Sequence, residues 1–357
     1  MAKKVYTTDG KVAHYSKEQD INNKLSKILG KKFIDYRKTW DAANRFEILT
    51  EFPLFLHFDM NQRCNYRCPQ CILAYPDELK KYYQGDDLDF NTFKLAIDEA
   101  ETYKCPSMSV QGNNEPLLNP KLEEYISYAY NHGFIDIMFN TNGSLLFKER
   151  AKKLLDSGVT RLRFSLDAFT EETYSAIRVG GNYSKVLKNI ESFLEEKRKG
   201  GYDLPVTGVS FVLQKKNYKE LDDFIEYWSS RVDMVTIQNF MPPTPGKDFS
   251  DFYAPREAYP SANISSNEGF KCVQPYQRLV IKNNDITPCC LMYSTALSLG
   301  KFPETSLYDA WNSEKMKFIQ KIHSQGRYQD DPICKLCVKS MFSTSSNNSR
   351  ETDDLLM

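Results

Sequence analysis

The sequence predicts an α/β fold: a parallel sheet of about six βα units, followed by a small α+β domain. Three observations predict it. From residue 52 to about residue 240, short β-type runs alternate with helical stretches. The residues that follow those runs are polar or ligand-type in every case. Past residue 268 a hairpin pattern appears, and a second set of cysteines comes with it.

Composition sets the outer limits. A chain of 357 residues is long enough for one large domain and a small one. Lys and Arg number 47 against 47 Asp and Glu, so the basic excess of a nucleic-acid binder is missing. No apolar run approaches the ~18–20 residues of a membrane span. The first twenty residues, MAKKVYTTDGKVAHYSKEQD, hold no apolar core of a secretory signal, and a cytoplasmic location is expected. There are nine cysteines: Cys64, Cys68, Cys71, Cys105, Cys272, Cys289, Cys290, Cys334 and Cys337. Clustered and odd in number, they suit metal binding in a reducing compartment better than a disulfide framework.

Residues 1–50 are polar and lysine-rich and read as an extension packed on the main domain. A short helix is expected over Tyr15–Leu29, ended at Gly30. Strand signal here is too poor for a separate peptide-binding domain. The core, 51–240, has strand candidates at Leu54–Asp59, Ser107–Gln111, Ile135–Asn140, Arg161–Leu166, Val206–Leu213 and Met234–Gln238. Helical patterns at Phe90–Tyr103, Pro120–His132, Phe147–Ser157, Tyr183–Lys199 and Tyr218–Ser229 lie between them. Consecutive βα units demand a parallel sheet with right-handed crossovers, either two-layered or a partial barrel. Ligands bind such sheets at the C-terminal ends of the strands.

Those ends carry the chemistry. The first leads into Cys64-Asn-Tyr-Arg-Cys68-Pro-Gln-Cys71, three thiols in eight residues. Three thiolates leave one position of a four-site centre open. The second is followed by Gly112-Asn-Asn-Glu115-Pro116, the third by Asn140-Thr-Asn142-Gly143, and the fourth ends in Ser165-Leu-Asp167. Each alone is weak, since Asn-Gly after a strand is usually a turn. Their coincidence on one rim is the argument.

Residues 241–267 are dense in Pro and Ser and read as a linker. In 268–340, Gln277–Asn283 reads as a strand, Asn283-Asn-Asp285 as a hairpin turn and Ile286–Cys290 as the returning strand. A helical Leu307–Ser324 precedes Cys334-Lys-Leu-Cys337. By spacing, this second set suits a structural zinc site or an iron–sulfur cluster equally. Cys105 fits neither set and reads as a small buried hydrophobe. The polar tail, 341–357, is expected to be disordered.

CNYRCPQC, followed by SVQGNNEPLLNPKL, FNTNGSLL and RFSLDAFTEETYSAIRVGGNYSKVLKNI, resembles the radical S-adenosylmethionine (radical SAM) superfamily over about residues 52–240. The resemblance implies a partial (β/α)6 barrel with a 4Fe–4S cluster on Cys64, Cys68 and Cys71, whose free iron chelates SAM. It implies SAM contacts from Gly112, Asn113 and Glu115 to the amino group, from Asn142 to the ribose, and from Ser165 and Arg178 to the carboxylate. Asp167 would face substrate or support the loop. Asn114 replaces the second Gly of the family's Gly-x-Gly-Glu-Pro stretch. Asn reaches left-handed backbone angles at modest cost, which would preserve the loop. An external donor such as flavodoxin or ferredoxin is implied as electron source.

KCVQPYQRLVIKNNDITPCC, SLYDAWNSEKMKFIQKI and PICKLC are similar to the SPASM/twitch domains appended to many such enzymes. Asn284 stands where their motif has Gly. The similarity implies one auxiliary 4Fe–4S cluster on Cys272, Cys289, Cys334 and Cys337, with Cys290 competing with Cys289. Oxidation of a small polar, sugar- or aminocyclitol-like substrate is the expected activity. Modification of a peptide or protein side chain is the alternative. A zinc-stabilised binding protein without catalysis fits poorly with three intact cysteines in the first loop.

Overall fold

The computed structural model describes residues 3–6, 12–16, 21–83, 87–244, 247–258 and 269–342. The tail 343–357 and most of the expected linker lie outside them. The chain begins with strands β1 (Lys3–Tyr6) and β2 (Val12–Ser16) and helix α1 (Ile21–Asn44). The core follows as β3 (Phe55–Asp59), α2 (Pro76–Tyr82), α3 (Phe90–Thr102), β4 (Ser107–Ser109), α4 (Leu122–Asn131), β5 (Asp136–Thr141), α5 (Lys148–Asp156) and β6 (Arg161–Ser165). It continues through α6 (Glu171–Ile177), α7 (Tyr183–Lys199), β7 (Val206–Leu213), α8 (Leu221–Ser229) and β8 (Met234–Asn239). The last part is β9 (Arg278–Lys282), β10 (Asp285–Thr287), β11 (Gly300–Lys301), α9 (Leu307–Asn312), α10 (Glu314–Ser324) and α11 (Pro332–Phe342).

All six expected core strands are present, and β3 to β8 run parallel in sequence order. The sheet curves without closing, a partial barrel. Its outer face is apolar: Leu56, Phe58, Ile137, Phe139, Leu162, Phe164, Val209, Phe211, Val235 and Ile237 pack against the helices in one core. Strand alternation therefore turns His57, Asp59, Asn140, Arg163, Ser165 and Gly208 to the inner face. The two short helices α2 and α6 carry too few apolar positions for periodicity to reveal them.

The N-terminal reading needs correction. Tyr15 lies in a strand, and helix begins only at Ile21. It does not end at Gly30, which breaks the helical geometry (φ 70°, ψ −153°) while the helix resumes to Asn44. Leu25, Phe33, Tyr36 and Ala43 reach an apolar cluster with Leu54, Val206 and Tyr276, at the N-terminal ends of β3, β7 and β9. That burial outweighs the ~1 kcal/mol cost of a helical glycine. α1 thereby closes the barrel end opposite the cysteines. β2 pairs antiparallel with β8, so the β1–β2 hairpin covers one sheet edge.

The other edge is covered by the C-terminal part. β9 pairs parallel with β3 over Phe55–Asp59 against Arg278–Lys282, and β10 and β11 extend the same 11-stranded sheet. The expected hairpin turn is Asn283-Asn284, both at positive φ (45° and 68°) with Lys282 opposite Asp285. This is the geometry of a tight two-residue hairpin, and Asn is among the few residues that reach it. Leu307–Ser324 is two helices, because Ser313 ends α9 and its side chain caps α10 through the Met316 amide. Beyond β8, described residues of the proline-rich stretch fold back. Phe240, Phe249 and Tyr253 pack together with Tyr75 and Val212. Cys105 is buried, as expected, and burial pushes its thiol up to about 12. No helix among the described residues is long and apolar enough to cross a membrane.

Candidate active site

The C-terminal ends of β3 to β7 surround one cleft of about 800 Å³, counting the solvent at its mouth. Cys64, Cys68 and Cys71 border it together with Gly112, Asn113, Glu115, Asn142, Ser165 and Arg178. The fold thus brings every residue of the first expected set to one place. Burial pushes the Cys64 and Cys71 thiols up to about 11 and raises that of Cys68. At neutral pH these sulfurs become good ligands only where a cationic centre replaces their protons.

The cysteine loop is held from several sides. The amide of Arg67 donates to Val179 O, and its guanidinium to Cys64 O and Tyr66 O. Tyr66 is buried, with its hydroxyl 3.3 Å from that of Tyr174. The Asn65 amide accepts from Asn142 Nδ2 at 2.9 Å and donates to Ser144 Oγ at 2.8 Å. Asn142 also lies 3.9 Å from Cys64 Sγ. It ties the third strand end to the cysteines while lining the cleft.

Glu115 is more of a keystone than a free acid. Its carboxylate accepts from the Leu117 amide (3.1 Å), Thr141 Oγ1 (2.6 Å) and the Asn142 amide (2.7 Å). It is 2% exposed, and burial raises its pKa. Among the described residues Oε2 accepts from one donor and Oε1 from two, so one acceptor direction remains on Oε2. Gly112 is required for a different reason. A Cβ there would lie 1.9 Å from the Asp59 carboxyl. Asn114 preserves the loop, but not by left-handed backbone: its Oδ1 accepts from the Gly112 amide at 3.1 Å, and its φ is not positive.

Arg178 is neither free nor a surface pair. It bonds the buried Asp167 at 2.7 Å and approaches Cys68 Sγ to 3.9 Å. Its Nε is buried with no partner among the described residues. Asp167, at φ 60° and fully buried, also accepts from Gln70 Nε2 and the Val212 amide. It supports the loop. Ser165 lines the cleft one strand away.

Sequence reasoning missed Asp59, Tyr83 and Lys282. Tyr83 Oη donates to Asp59 Oδ2 (2.9 Å) and accepts from Asn113 Nδ2 (2.8 Å). Burial pushes Asp59 up to about 6, against the opposing pull of Lys282. Lys282 is its direct partner in the β3–β9 register and donates to Leu291 O. No motif spacing links these residues, so only the pairing could reveal them.

The second cysteine set also assembles. Cys272, Cys289, Cys334 and Cys337 border one apolar cavity with Pro275, Pro288, Leu297 and Ile319. Cys290 is exposed and does not. Cys334 and Cys337 share a face of α11, one turn apart. His323, unnoticed in the sequence, accepts from the Cys272 amide through Nδ1 at 3.3 Å. That leaves its proton on Nε2, 3.3 Å from Cys334 Sγ. Among the described residues no group of three or more His, Cys, Asp or Glu is gathered tightly enough to hold a single metal ion. Thiols spaced around a common cavity instead fit a cluster several ångströms across.

The comparisons agree with this geometry. The radical SAM superfamily model matches residues 59–227, and the SPASM iron–sulfur cluster-binding domain model matches 272–338. The tungsten-containing aldehyde ferredoxin oxidoreductase cofactor-modifying protein of Pyrococcus furiosus is 25% identical, over 79% of this chain and 87% of that protein. A Helicobacter pylori GTP 3′,8-cyclase is 31% identical over 55% of this chain and 58% of its own length. The chain therefore spans less than two thirds of that relative. In fold, it is similar to Streptococcus suis SuiB bound to precursor peptide SuiA, with TM-score 0.58, 16% identity, and 91% and 79% of the two chains covered. It is also similar to BtrN in complex with AdoMet and 2-DOIA, with TM-score 0.50, 14% identity, and 85% and 98% covered.

Proposed function

This chain belongs to the radical SAM superfamily, with a C-terminal SPASM domain that brings an auxiliary iron–sulfur cluster, and from that premise we propose that it oxidises a small polar, sugar-like substrate. When bound, the SAM-binding 4Fe–4S cluster supplies the electron that breaks the SAM C–S bond, giving a 5′-deoxyadenosyl radical able to abstract a substrate hydrogen. Cys64, Cys68 and Cys71 would hold that cluster. Cys272, Cys289, Cys334 and Cys337 would hold the auxiliary one, the sink for the second electron of an oxidation.

The rest falls to this chain's own side chains. Arg178, oriented by Asp167, and Ser165 would take the SAM carboxylate. Gly112, Asn113 and Glu115 would receive its amino group, and Asn142 its ribose. The aromatic wall of Phe240, Phe249 and Tyr253 stands beside Val212 at the cleft and would limit water. Reduction would come from a flavodoxin or ferredoxin, and the cytoplasm is the compartment that suits free thiols.

The observation that carries the reading is the convergence of three cysteines with Gly112, Asn113, Glu115, Asn142, Ser165 and Arg178 on one cleft. A small substrate is favoured because the inner space below the cleft is closed off by α1. The alternative, modification of a peptide or protein side chain, draws on the likeness in fold to SuiB bound to its precursor peptide. The test is anaerobic reconstitution. About eight irons per chain, cleavage of SAM to 5′-deoxyadenosine, and loss of cleavage in Cys68→Ala are expected. No cleavage under strong reductant would overturn the radical reading. Iron near half that content, with zinc in the second set, would overturn the electron sink.

A further inference from the structure

The two cysteine sets share one apolar layer. Tyr83, Leu291, Met292, Tyr293 and Leu336 are buried together in it. Cys64 and Cys71, which border the cleft, pack against this cluster, and so do Cys289 and Cys337, which border the auxiliary cavity. A row of polar groups crosses the same layer. Asn113 lines the cleft, and its Nδ2 donates to Tyr83 Oη at 2.8 Å. Tyr83 Oη in turn donates to Asp59 Oδ2 at 2.9 Å. Lys282 is paired with Asp59 in the β3–β9 register, and its ammonium lies 5.6 Å from the centre of the Tyr83 ring. That ammonium donates to Leu291 O, and Leu291 borders the auxiliary cavity two residues after Cys289.

Within this row Asp59 has unused capacity. It is buried, and its Oδ1 makes no hydrogen bond among the described residues. A proton can sit on that oxygen without displacing the Tyr83 hydroxyl from Oδ2. Lys282 attracts the carboxylate but spends its bond on Leu291 O. Burial lifts the Asp59 acid to about 6, against the pull of Lys282, the Tyr83 hydroxyl and the Asn113 amide. The other titratable groups around it do not change charge near neutral pH. His57, on the same strand, is held neutral by burial and by Arg278 and Lys282. Tyr83 is raised well above its ordinary value by burial and by Asp59, so it keeps its proton. From the β4 side come only Gly112 and Asn113, neither titratable. On its far side Lys282 faces Cys289 and Cys290, and their negative charge would hold its proton on.

We infer that Asp59 takes up a proton when the auxiliary cluster takes up an electron, with Lys282 as the cation that both charges share. This rests on the reading of the auxiliary cluster as electron sink and adds the proton that accompanies the electron. An electron added beside Cys289 and an ionised Asp59 both draw on the field of one ammonium. Charges in a buried apolar layer are screened far less than in water, so each disfavours the other. Protonation of Asp59 removes that conflict. The balance matches the oxidation. After loss of its hydrogen atom, a hydroxyl-bearing carbon radical becomes a carbonyl by giving up one electron and one proton. The electron reduces the auxiliary cluster and the proton goes to solvent, while Asp59 takes up its equal. The buried layer then gains no net charge.

The experiment uses the anaerobically reconstituted full chain and needs no substrate. Redox titrations followed by electron paramagnetic resonance are run between about pH 5 and pH 8, the range around the raised Asp59 acid. The auxiliary signal is the one that persists when Cys64, Cys68 and Cys71 are all replaced by alanine. Its midpoint potential should fall as the pH rises through this range. A reduced state that binds the proton tenfold more tightly gives a total fall of about 59 mV. Asp59→Asn should make the potential independent of pH. Tyr83→Phe keeps the ring and the charge but removes a hydrogen bond that holds the Asp59 acid down. The fall should then move to higher pH, and this variant carries the test if Asp59→Asn fails to fold. A wild-type potential that does not change with pH overturns the inference. So does the same fall in Asp59→Asn as in the wild type, or a Tyr83→Phe profile that does not move. About eight irons per chain with a flat potential overturns this inference alone. Zinc in the second set overturns the electron sink and this inference with it.

Discussion

Glu115 and His57 are both polar side chains buried in the barrel, and they are stabilised in opposite ways. Glu115 keeps its charge options because three donors meet its two oxygens. Among the described residues His57 has no such set of partners, and it gives up its charge instead. Its pKa falls to about 3, first from burial and then from Arg278 and Lys282. In the unfolded chain it takes up a proton near 6.5. Stability is therefore full above that value and is lost as the pH falls toward 3. Between pH 7 and pH 5 the iron-free wild type should lose about 2 kcal/mol more than His57→Gln. Equilibrium chemical unfolding at the two pH values checks this, and parallel losses in both proteins would contradict it. Gly112 is legible in sequence as part of a loop, but the reason for glycine is not. It is the Asp59 carboxyl, placed against it by a strand some fifty residues earlier.

At the level of elements, α10 and α11 build the second cysteine set together. α11 presents Cys334 and Cys337 one turn apart, and the Cys334 amide is fixed by Asp331 Oδ1 at 2.8 Å. α10 delivers His323 between Cys272 and Cys334. An N–H bond to a ligand sulfur stabilises the reduced, more negative cluster. His323→Leu should keep the iron content and shift the auxiliary cluster's midpoint potential to a more negative value. Potentiometric titration followed by electron paramagnetic resonance reads this directly. An unmoved potential would mean that the His323 contact is only packing. The β9–β10 hairpin shows the reverse case, a local element readable from its residues. Asn283 and Asn284 both reach positive φ, as the predicted turn requires.

Over the whole molecule the continuous sheet matters most. The C-terminal part is not hung from the core by a linker alone. Five residue pairs join β3 to β9, from Phe55↔Arg278 to Asp59↔Lys282. The strand that leads into the first cysteine loop is therefore bonded to the strand that leads into the second set. Such coupling predicts a single calorimetric unfolding transition for the loaded protein. Removing iron with a chelator should lower its Tm without splitting it. Two resolved transitions would mean that the two cluster regions unfold independently. The same continuity places Lys282 beside Asp59, linking the surroundings of both cysteine sets.

The sequence by itself determined the six parallel strands, the three-cysteine loop, the rim residues and the family. Each of these is a local pattern: alternation within a strand, a fixed spacing, a short motif. It also determined the two-Asn hairpin, because few residues tolerate those backbone angles. Only the tertiary structure decided the rest. Helix α1 runs through Gly30 because Phe33 and Tyr36 find the barrel floor, a long-range burial that local propensity does not record. Past the end of β10, Cys289 borders the cavity with Cys272, Cys334 and Cys337 while its neighbour Cys290 is exposed, a difference that spacing along the chain does not show. Among the described residues Arg163 lacks a partner, because Asn140 and Gly208 face it across two strands. A missing counter-charge is a property of three-dimensional neighbours, and no spacing along the chain can encode it visibly.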